Sequence, residues 1–250
     1  MDLTTYRLTV EYDGTNFAGW QIQPDVRTVQ QCMEDAVQVL FQEQADVIAA
    51  GRTDAGVHAT GQVVHFRAAN IRSPHVVLHG LNANLPADIR VRSAETAESD
   101  FHARFSAKWR GYVYRIATSP VAVTRSYCWQ SPFDLNVDLM RAASERILGS
   151  HNFRAFAHES ENETHYLSDV FRAEWVESDR YLALYIEANR FLHGMVRLLV
   201  GTLVNVGRCK SEPEAIRQIL ETEDVRNAGP KAPPTGLTLV KVGYRPWPEL

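Results

Sequence analysis

The chain has 250 residues, 45% hydrophobic and 22% charged, which suits an ordinary globular protein of one large domain or two halves of about 100 to 125 residues each. Its 30 acidic and 26 basic side chains leave a formal charge of −4, a total that does not by itself suggest a binder of polyanions. No stretch approaches the roughly 18 uninterrupted apolar residues of a membrane span, so no membrane partner is expected.

Residues 6 to 12 alternate, with Tyr6, Leu8, Val10 and Tyr12 on one face and Arg7, Thr9 and Glu11 on the other, the period of a half-buried strand. Asp13-Gly14-Thr15-Asn16 ends it. Val29, Met33, Ala36, Val37 and Leu40 recur at helical spacing, with Thr28 placed to cap the start. Two strands follow, around Val47-Ile48-Ala49-Ala50 and Val63-Val64-His65-Phe66, then a helix from about Pro74 to Asn84 and a strand from about Ile89 to Ser93. The order is β-α-β-β-α-β.

The second half repeats it. Tyr112 to Ile116 reads as a strand, Val137 to Leu148 as a helix ended by Gly149, and Val170 to Trp175 and Tyr181 to Ala188 as strands. A helix spans about Leu192 to Val206. Ser211-Glu212-Pro213-Glu214 reads as a capping box that opens an extra helix, and Leu237 to Tyr244 alternates as a final strand. The pattern predicts an α+β fold: two ferredoxin-like β-α-β-β-α-β halves, 1–105 and 106–250, forming an extended antiparallel sheet with helices on one face and a central active-site cleft. Sheets of this kind often bind RNA through strand aromatics. Arg110-Gly111-Tyr112-Val113-Tyr114 partly matches that signature, departing from it at Val113 and Arg115.

Between the second and third strands lies Gly51-Arg52-Thr53-Asp54-Ala55-Gly56-Val57-His58-Ala59. Two glycines and a central carboxylate make this poor helix and poor strand, so a tight exposed loop is expected. It presents one acid beside one cation on a rigid scaffold, a common way to build a site. An Asx-type turn with Arg52 as a surface partner is the alternative. The chain carries Arg104, Lys108, Arg110, Arg115 and Arg125 in a stretch without carboxylates between Asp100 and Asp134. A second such stretch, between Glu187 and Glu212, holds Arg190, Arg197, Arg208 and Lys210. An acidic protein so patterned can still offer basic grooves to phosphates. His75 and His79 stand four apart on an expected helix without a third ligand, and no metal site is expected. Cys32, Cys128 and Cys209 form no CxxC pair, and Met1 to Tyr6 lacks the regions of a signal peptide. A reducing, cytoplasmic setting is therefore expected.

Five ordered segments carry a resemblance: the Asp54 loop; Tyr12-Asp13-Gly14-Thr15-Asn16-Phe17-Ala18-Gly19-Trp20-Gln21; Phe101-His102-Ala103-Arg104-Phe105-Ser106-Ala107; Met195-Val196-Arg197; and Ala232-Pro233-Pro234-Thr235-Gly236-Leu237. Together they resemble the TruA family of tRNA pseudouridine synthases from about Tyr6 to Tyr244. The resemblance implies an isomerase without a cofactor, converting uridine to pseudouridine in the anticodon arm of tRNA (the family's tRNA positions 38–40). It implies that Asp54 is the essential carboxylate, that Tyr112 is the active-site tyrosine facing the uracil, that Arg197 pairs with the aspartate, and that Arg52 helps displace the target base. Arg104, Lys108 and Arg110 join Tyr112 as expected tRNA-binding residues, and a homodimer sharing one tRNA is implied. The family usually has aspartate where Asn152 stands. The competing reading is a non-catalytic RNA-binding protein or tRNA folding chaperone, which would have no use for Asp54, Tyr112 and Arg197 together; an unrelated hydrolase lacks a partner set for Asp54.

Overall fold

The computed structural model describes residues 3–158 and 165–248. In chain order these form β1 (Thr4–Tyr12), α1 (Val29–Phe41), β2 (Ile48–Ala49), β3 (His58–Ala68), α2 (Pro74–Asn84), β4 (Ile89–Ala97), β5 (Trp109–Ala117), β6 (Trp129–Gln130), α3 (Val137–Ser144), β7 (Gly149–Asn152), β8 (Leu167–Glu177), β9 (Tyr181–Ala188), α4 (Met195–Gly207), α5 (Ala215–Thr222) and β10 (Leu237–Gly243), with 3-10 turns between them. The fold is α+β, as the alternating patterns predict. The chain divides into two compact units, Met1–Lys108 with Thr238–Leu250, and Trp109–Leu237.

In the first unit β1 pairs antiparallel with both β3 and β4, and β2 pairs antiparallel with β3, giving the order 4-1-3-2 of a ferredoxin-like sheet. The period of two in β1 is what positions its core: Tyr6, Leu8, Val10 and Tyr12 are all buried. The Tyr6 ring stacks on Phe66 at 5.1 Å and meets Phe41 of α1 edge-on at 5.3 Å, while its hydroxyl donates to the Arg72 carbonyl at 2.9 Å. Thr28 caps α1 by accepting from the Gln31 N–H, and Ser73 with Pro74 opens α2. The final strand, which the local pattern counts with the second half, runs parallel to β3 in the register Thr238 to His58 and Leu239 to Ala59.

In the second unit the ladder order is β5-β9-β8-β7, antiparallel throughout, with β6 added parallel to β5. The helix α4 is apolar on nearly every side; Met195, Val196, Leu199, Val200, Leu203, Val204 and Val206 are buried. It packs beside α3, and the buried Trp175 indole donates to Ser144 Oγ of α3 at 2.9 Å. The helix expected over 137–148 is α for its first eight residues and 3-10 over Glu145–Ile147. The extra helix α5 forms, but without the predicted capping box: its N-cap is Glu214 and no side chain caps it. Pro213 shifts the start past Ser211, and a turn from Ala215 N–H to the Glu212 carbonyl closes the entry instead. No helix among the described residues is long and apolar enough to cross a membrane.

Candidate active site

The loop between β2 and β3 is held from beneath by the segment that follows β1. The Tyr12 hydroxyl and Thr53 Oγ1 share a buried hydrogen bond of 2.8 Å, and Gln62 Nε2 donates to the Gly51 carbonyl at 2.7 Å. Trp20 N–H donates to the Thr53 carbonyl at 3.0 Å and Gly56 N–H to the Phe17 carbonyl at 3.2 Å. The two strips of backbone lie so close that a Cβ on Gly14 would stand 2.1 Å from the Val57 carbonyl oxygen, which is why glycine occupies that position. His58 is buried and its Nδ1 accepts the Gly14 N–H at 3.1 Å. It ties the end of the loop to the segment after β1.

Within this frame Thr53 points into the core, Asp54 is half-buried and Arg52 is exposed. Asp54's own carbonyl accepts from Val57 N–H at 3.1 Å, closing a tight turn over Ala55-Gly56. The alternation of inward Thr53 with outward Arg52 and partly outward Asp54 lets one short loop anchor itself and present chemistry. Burial pushes the Tyr12 phenol up to about 12 against the opposing pull of its bonds to Thr53 and Gln62, so this hydroxyl stays protonated and acts as a brace. Phe17 and Trp20, open in the sequence between packing and ligand contact, are buried; Trp20 packs near Tyr12 and Arg27 lies 4.1 Å over the Phe17 ring.

Arg104 and Lys108 belong to the same unit and are exposed, with Lys108 N–H tied to the Gly243 carbonyl at 2.8 Å. Arg110, Tyr112 and Arg197 belong to the other unit. Arg110 is half-buried at the start of β5 and donates to the Asn189 carbonyl at 3.0 Å. Tyr112 lies opposite Ile186 in the ladder, is 8% exposed, and meets the Phe191 ring edge-on at 5.1 Å. Tyr114, on the same face two residues on, is fully buried and donates to the Pro233 carbonyl at 2.8 Å. The partial RNA-binding signature on β5 therefore does not present two solvent-facing rings; Tyr114 is a core residue. Burial raises its phenol, with Arg197 pulling the other way.

Arg197 sits in the first turn of α4, half-buried. Its Nε donates to the Ala232 carbonyl at 2.7 Å, and its own carbonyl accepts from Ala232 N–H at 3.0 Å. Thr202 Oγ1 accepts from Gly229 N–H at 2.7 Å, and a Cβ on Gly201 would stand 1.7 Å from the Pro230 carbonyl oxygen. The loop 229–232 is thereby fastened along α4, and the Ala232 carbonyl holds Arg197 Nε. Sequence reasoning did not identify Tyr12, Thr53, Gln62 and Tyr114 as the supports. The available signal was their place beside the motifs: Tyr12 opens one, and Thr53 precedes Asp54. Asn152 donates to Glu223 Oε1 at 2.8 Å and accepts from Arg154 N–H at 3.1 Å, so the departure at that position builds its own turn; an aspartate could not donate to Glu223.

His75 and His79 meet ring to ring at 4.3 Å on α2, and no group of three His, Cys, Asp or Glu suited to a metal ion occurs among the described residues.

A family model described as tRNA pseudouridine synthase matches residues 8–106 and 143–245. Asp54, Arg52, Arg104 and Arg197 fall inside the matched segments, and Lys108, Arg110 and Tyr112 between them. A tRNA pseudouridine synthase A from Chloroflexus aurantiacus is 43% identical over 98% of this chain and 90% of its own length. Proteins of the same name from Gloeobacter violaceus and a Geobacillus species are each 41% identical over 95% of this chain, covering 79% and 97% of their own lengths. Among solved structures, a Cbf5-Nop10-Gar1 complex matches at a TM-score of 0.37 and 11% identity over 94% of this chain, which spans 57% of that one. With both matched segments and these relatives running nearly its full length, the chain belongs to the tRNA pseudouridine synthase family.

Proposed function

We propose that this protein isomerises uridine to pseudouridine in the anticodon stem-loop of tRNA, in the cytoplasm and as a homodimer, with Asp54 as its essential carboxylate. The observation that carries the reading is the Asp54 loop, whose backbone and Thr53 are anchored by Tyr12, Trp20 and Gln62 while Asp54 itself stays half-buried. A fixed acid on a braced loop meets the geometric demand of catalysis, where small displacements of a reacting group cost rate.

The reaction is redox-neutral. The bond from C1′ to N1 breaks, the uracil turns while held, C5 bonds to C1′, and the C5 proton leaves as N1 gains one. Asp54 serves as nucleophile or base at the sugar, or stabilises the oxocarbenium-like state. Tyr112 supplies a ring against the uracil and a hydroxyl for the C5 proton. Arg52, exposed beside Asp54, fills the space of the displaced base, a role suited to a planar guanidinium, and Arg197 is the arginine that the family pairs with this aspartate. Arg104, Lys108 and Arg110 contact phosphates.

Tritium release from tRNA carrying 5-tritiated uridine tests the proposal, because each pseudouridine formed frees the C5 hydrogen. Release by the wild type and none by Asp54→Asn is expected. Binding of tRNA without release by either protein would replace this reading with an RNA-binding protein or folding chaperone. Light scattering in solution checks the dimer.

A further inference from the structure

The segment 101–107 holds a feature that the isomerisation chemistry leaves unused. Its backbone is pinned at several points. Ala103 N–H donates to Nδ1 of the buried His65 at 3.2 Å, and the Ala103 carbonyl accepts from the Tyr244 hydroxyl at 2.9 Å. His102 Nδ1 accepts from the N–H groups of both Arg104 and Phe105, each at 3.2 Å, and His102 N–H donates to Ser106 Oγ at 3.1 Å.

This fixed segment holds Phe105 with 76% of its surface exposed. The ring stacks on His102, centroids 4.2 Å apart and planes 30° from parallel, so one face is backed and the other meets water. The Arg104 guanidinium carbon lies over the ring but 5.9 Å from its centre, a distant contact that leaves Phe105 largely exposed. The His102 Nδ1 lone pair is engaged by two N–H groups, and burial together with Arg67 lowers the pKa of the ring. Single exposed apolar side chains are ordinary. Phe105 is set apart by the combination of an open aromatic face, a rigid mount and a flanking cation, which is the chemistry that receives unstacked bases.

We propose that the open face of Phe105, backed by His102 and flanked by Arg104, is a stacking platform for an unpaired base of the tRNA other than the uridine being modified. The inference rests on the tRNA reading above and adds a contact that catalysis itself does not require. Rigidity matters because a ring already held in place loses little freedom when a base covers it.

The test compares wild type, Phe105→Ala and Phe105→Trp for binding to an unmodified tRNA transcript and to a fully paired RNA duplex of similar length, across a salt series. Phe105→Ala should weaken binding to the transcript about 5- to 150-fold, the range alanine gives at base–aromatic stacks. Phe105→Trp should stay within about threefold of wild type because it keeps a stacking face. Duplex binding and the slope against salt should not change, since no phosphate contact is lost. Overturning results are a Phe105→Ala protein within about twofold of wild type on the transcript, an equal loss on duplex, or a tryptophan variant as weak as alanine. The exposed position spares the fold, and circular dichroism confirms it for both variants. Tritium release by the wild type is measured alongside: its absence would overturn the isomerase reading, while the binding comparison decides the platform on its own.

Discussion

The bond between Tyr12 and Thr53 offers a direct way to ask whether the loop's brace sets the rate. Tyr12→Phe removes one hydroxyl and leaves Thr53 Oγ1, 2.8 Å away in a buried setting, without that partner. Gln62 Nε2 loses a longer contact of 3.4 Å but keeps the Gly51 carbonyl at 2.7 Å, so the main cost is one stranded hydroxyl, about 1–2 kcal/mol. For a chain of this size that lowers Tm by about 2–8 °C. Thr53→Val should cost a similar amount alone. In the double variant the second change should cost less, with a coupling of about 1 kcal/mol, because the bond can be lost only once. Loosening Thr53 also loosens its neighbour Asp54, and single-turnover pseudouridine formation should fall about 10- to 100-fold in Tyr12→Phe. Urea unfolding measures the stabilities and tritium release the rates. Strictly additive stability losses would show that the bond does not couple the two residues, and a stability loss at unchanged rate would show that the brace does not position Asp54.

Asp54→Asn should retain tRNA binding and lose turnover, measured by filter binding and tritium release. Tyr112→Phe should bind tRNA well yet release tritium slowly, as expected if the hydroxyl takes part in moving the C5 proton. Charge reversal at Arg104 or Lys108 should weaken binding and flatten its salt dependence. Gly201→Ala places a methyl 1.7 Å from the Pro230 carbonyl and should destabilise by about 1–3 kcal/mol or more, slowing turnover by moving the loop that orients Arg197; a proton-detected spectrum identical to wild type would contradict this. Burial, with His102 and Arg67 nearby, lowers the pKa of His65 to about 4. It is neutral when folded and more readily protonated when unfolded, so its contribution is complete above about pH 6.5 and is lost as pH falls toward 4, at most about 3 kcal/mol. His65→Gln should flatten stability against pH in that window.

Much of the fold was legible because it is written in local periods. Tyr6 to Tyr12 alternates and forms β1; Val29, Met33, Ala36 and Val37 recur every three or four residues and form the buried face of α1. Pairing was less legible. Leu237 to Gly243 announces a strand, but nothing in its alternation names β3 as a ladder partner, since that choice depends on where distant chain ends meet. The capping box at Ser211 failed for a related reason: four residues fit a template, yet Pro213 and the turn at Glu212 moved the helix start. At the site, Asp54 stood out because two glycines around a central carboxylate are unusual for regular structure, whereas Arg197, inside the helix α4, was marked only by the family resemblance. Tyr12, Thr53 and Gln62 did not stand out, because a tyrosine, a threonine and a glutamine become a brace only when burial removes water as a competing partner.

The parallel ladder between His58–Ala59 and Thr238–Leu239 makes the second unit, in topological terms, an insertion within the first. During synthesis the residues of β3 leave the ribosome about 180 positions ahead of the strand that completes their edge, and at roughly 5–20 residues per second that interval lasts on the order of 10 to 40 s. Throughout it the end of β3 nearest the Asp54 loop lacks its parallel neighbour and offers an unsealed sheet edge. The first unit begun is thus finished last, and its Asp54 loop reaches its final support only after the inserted unit has been made.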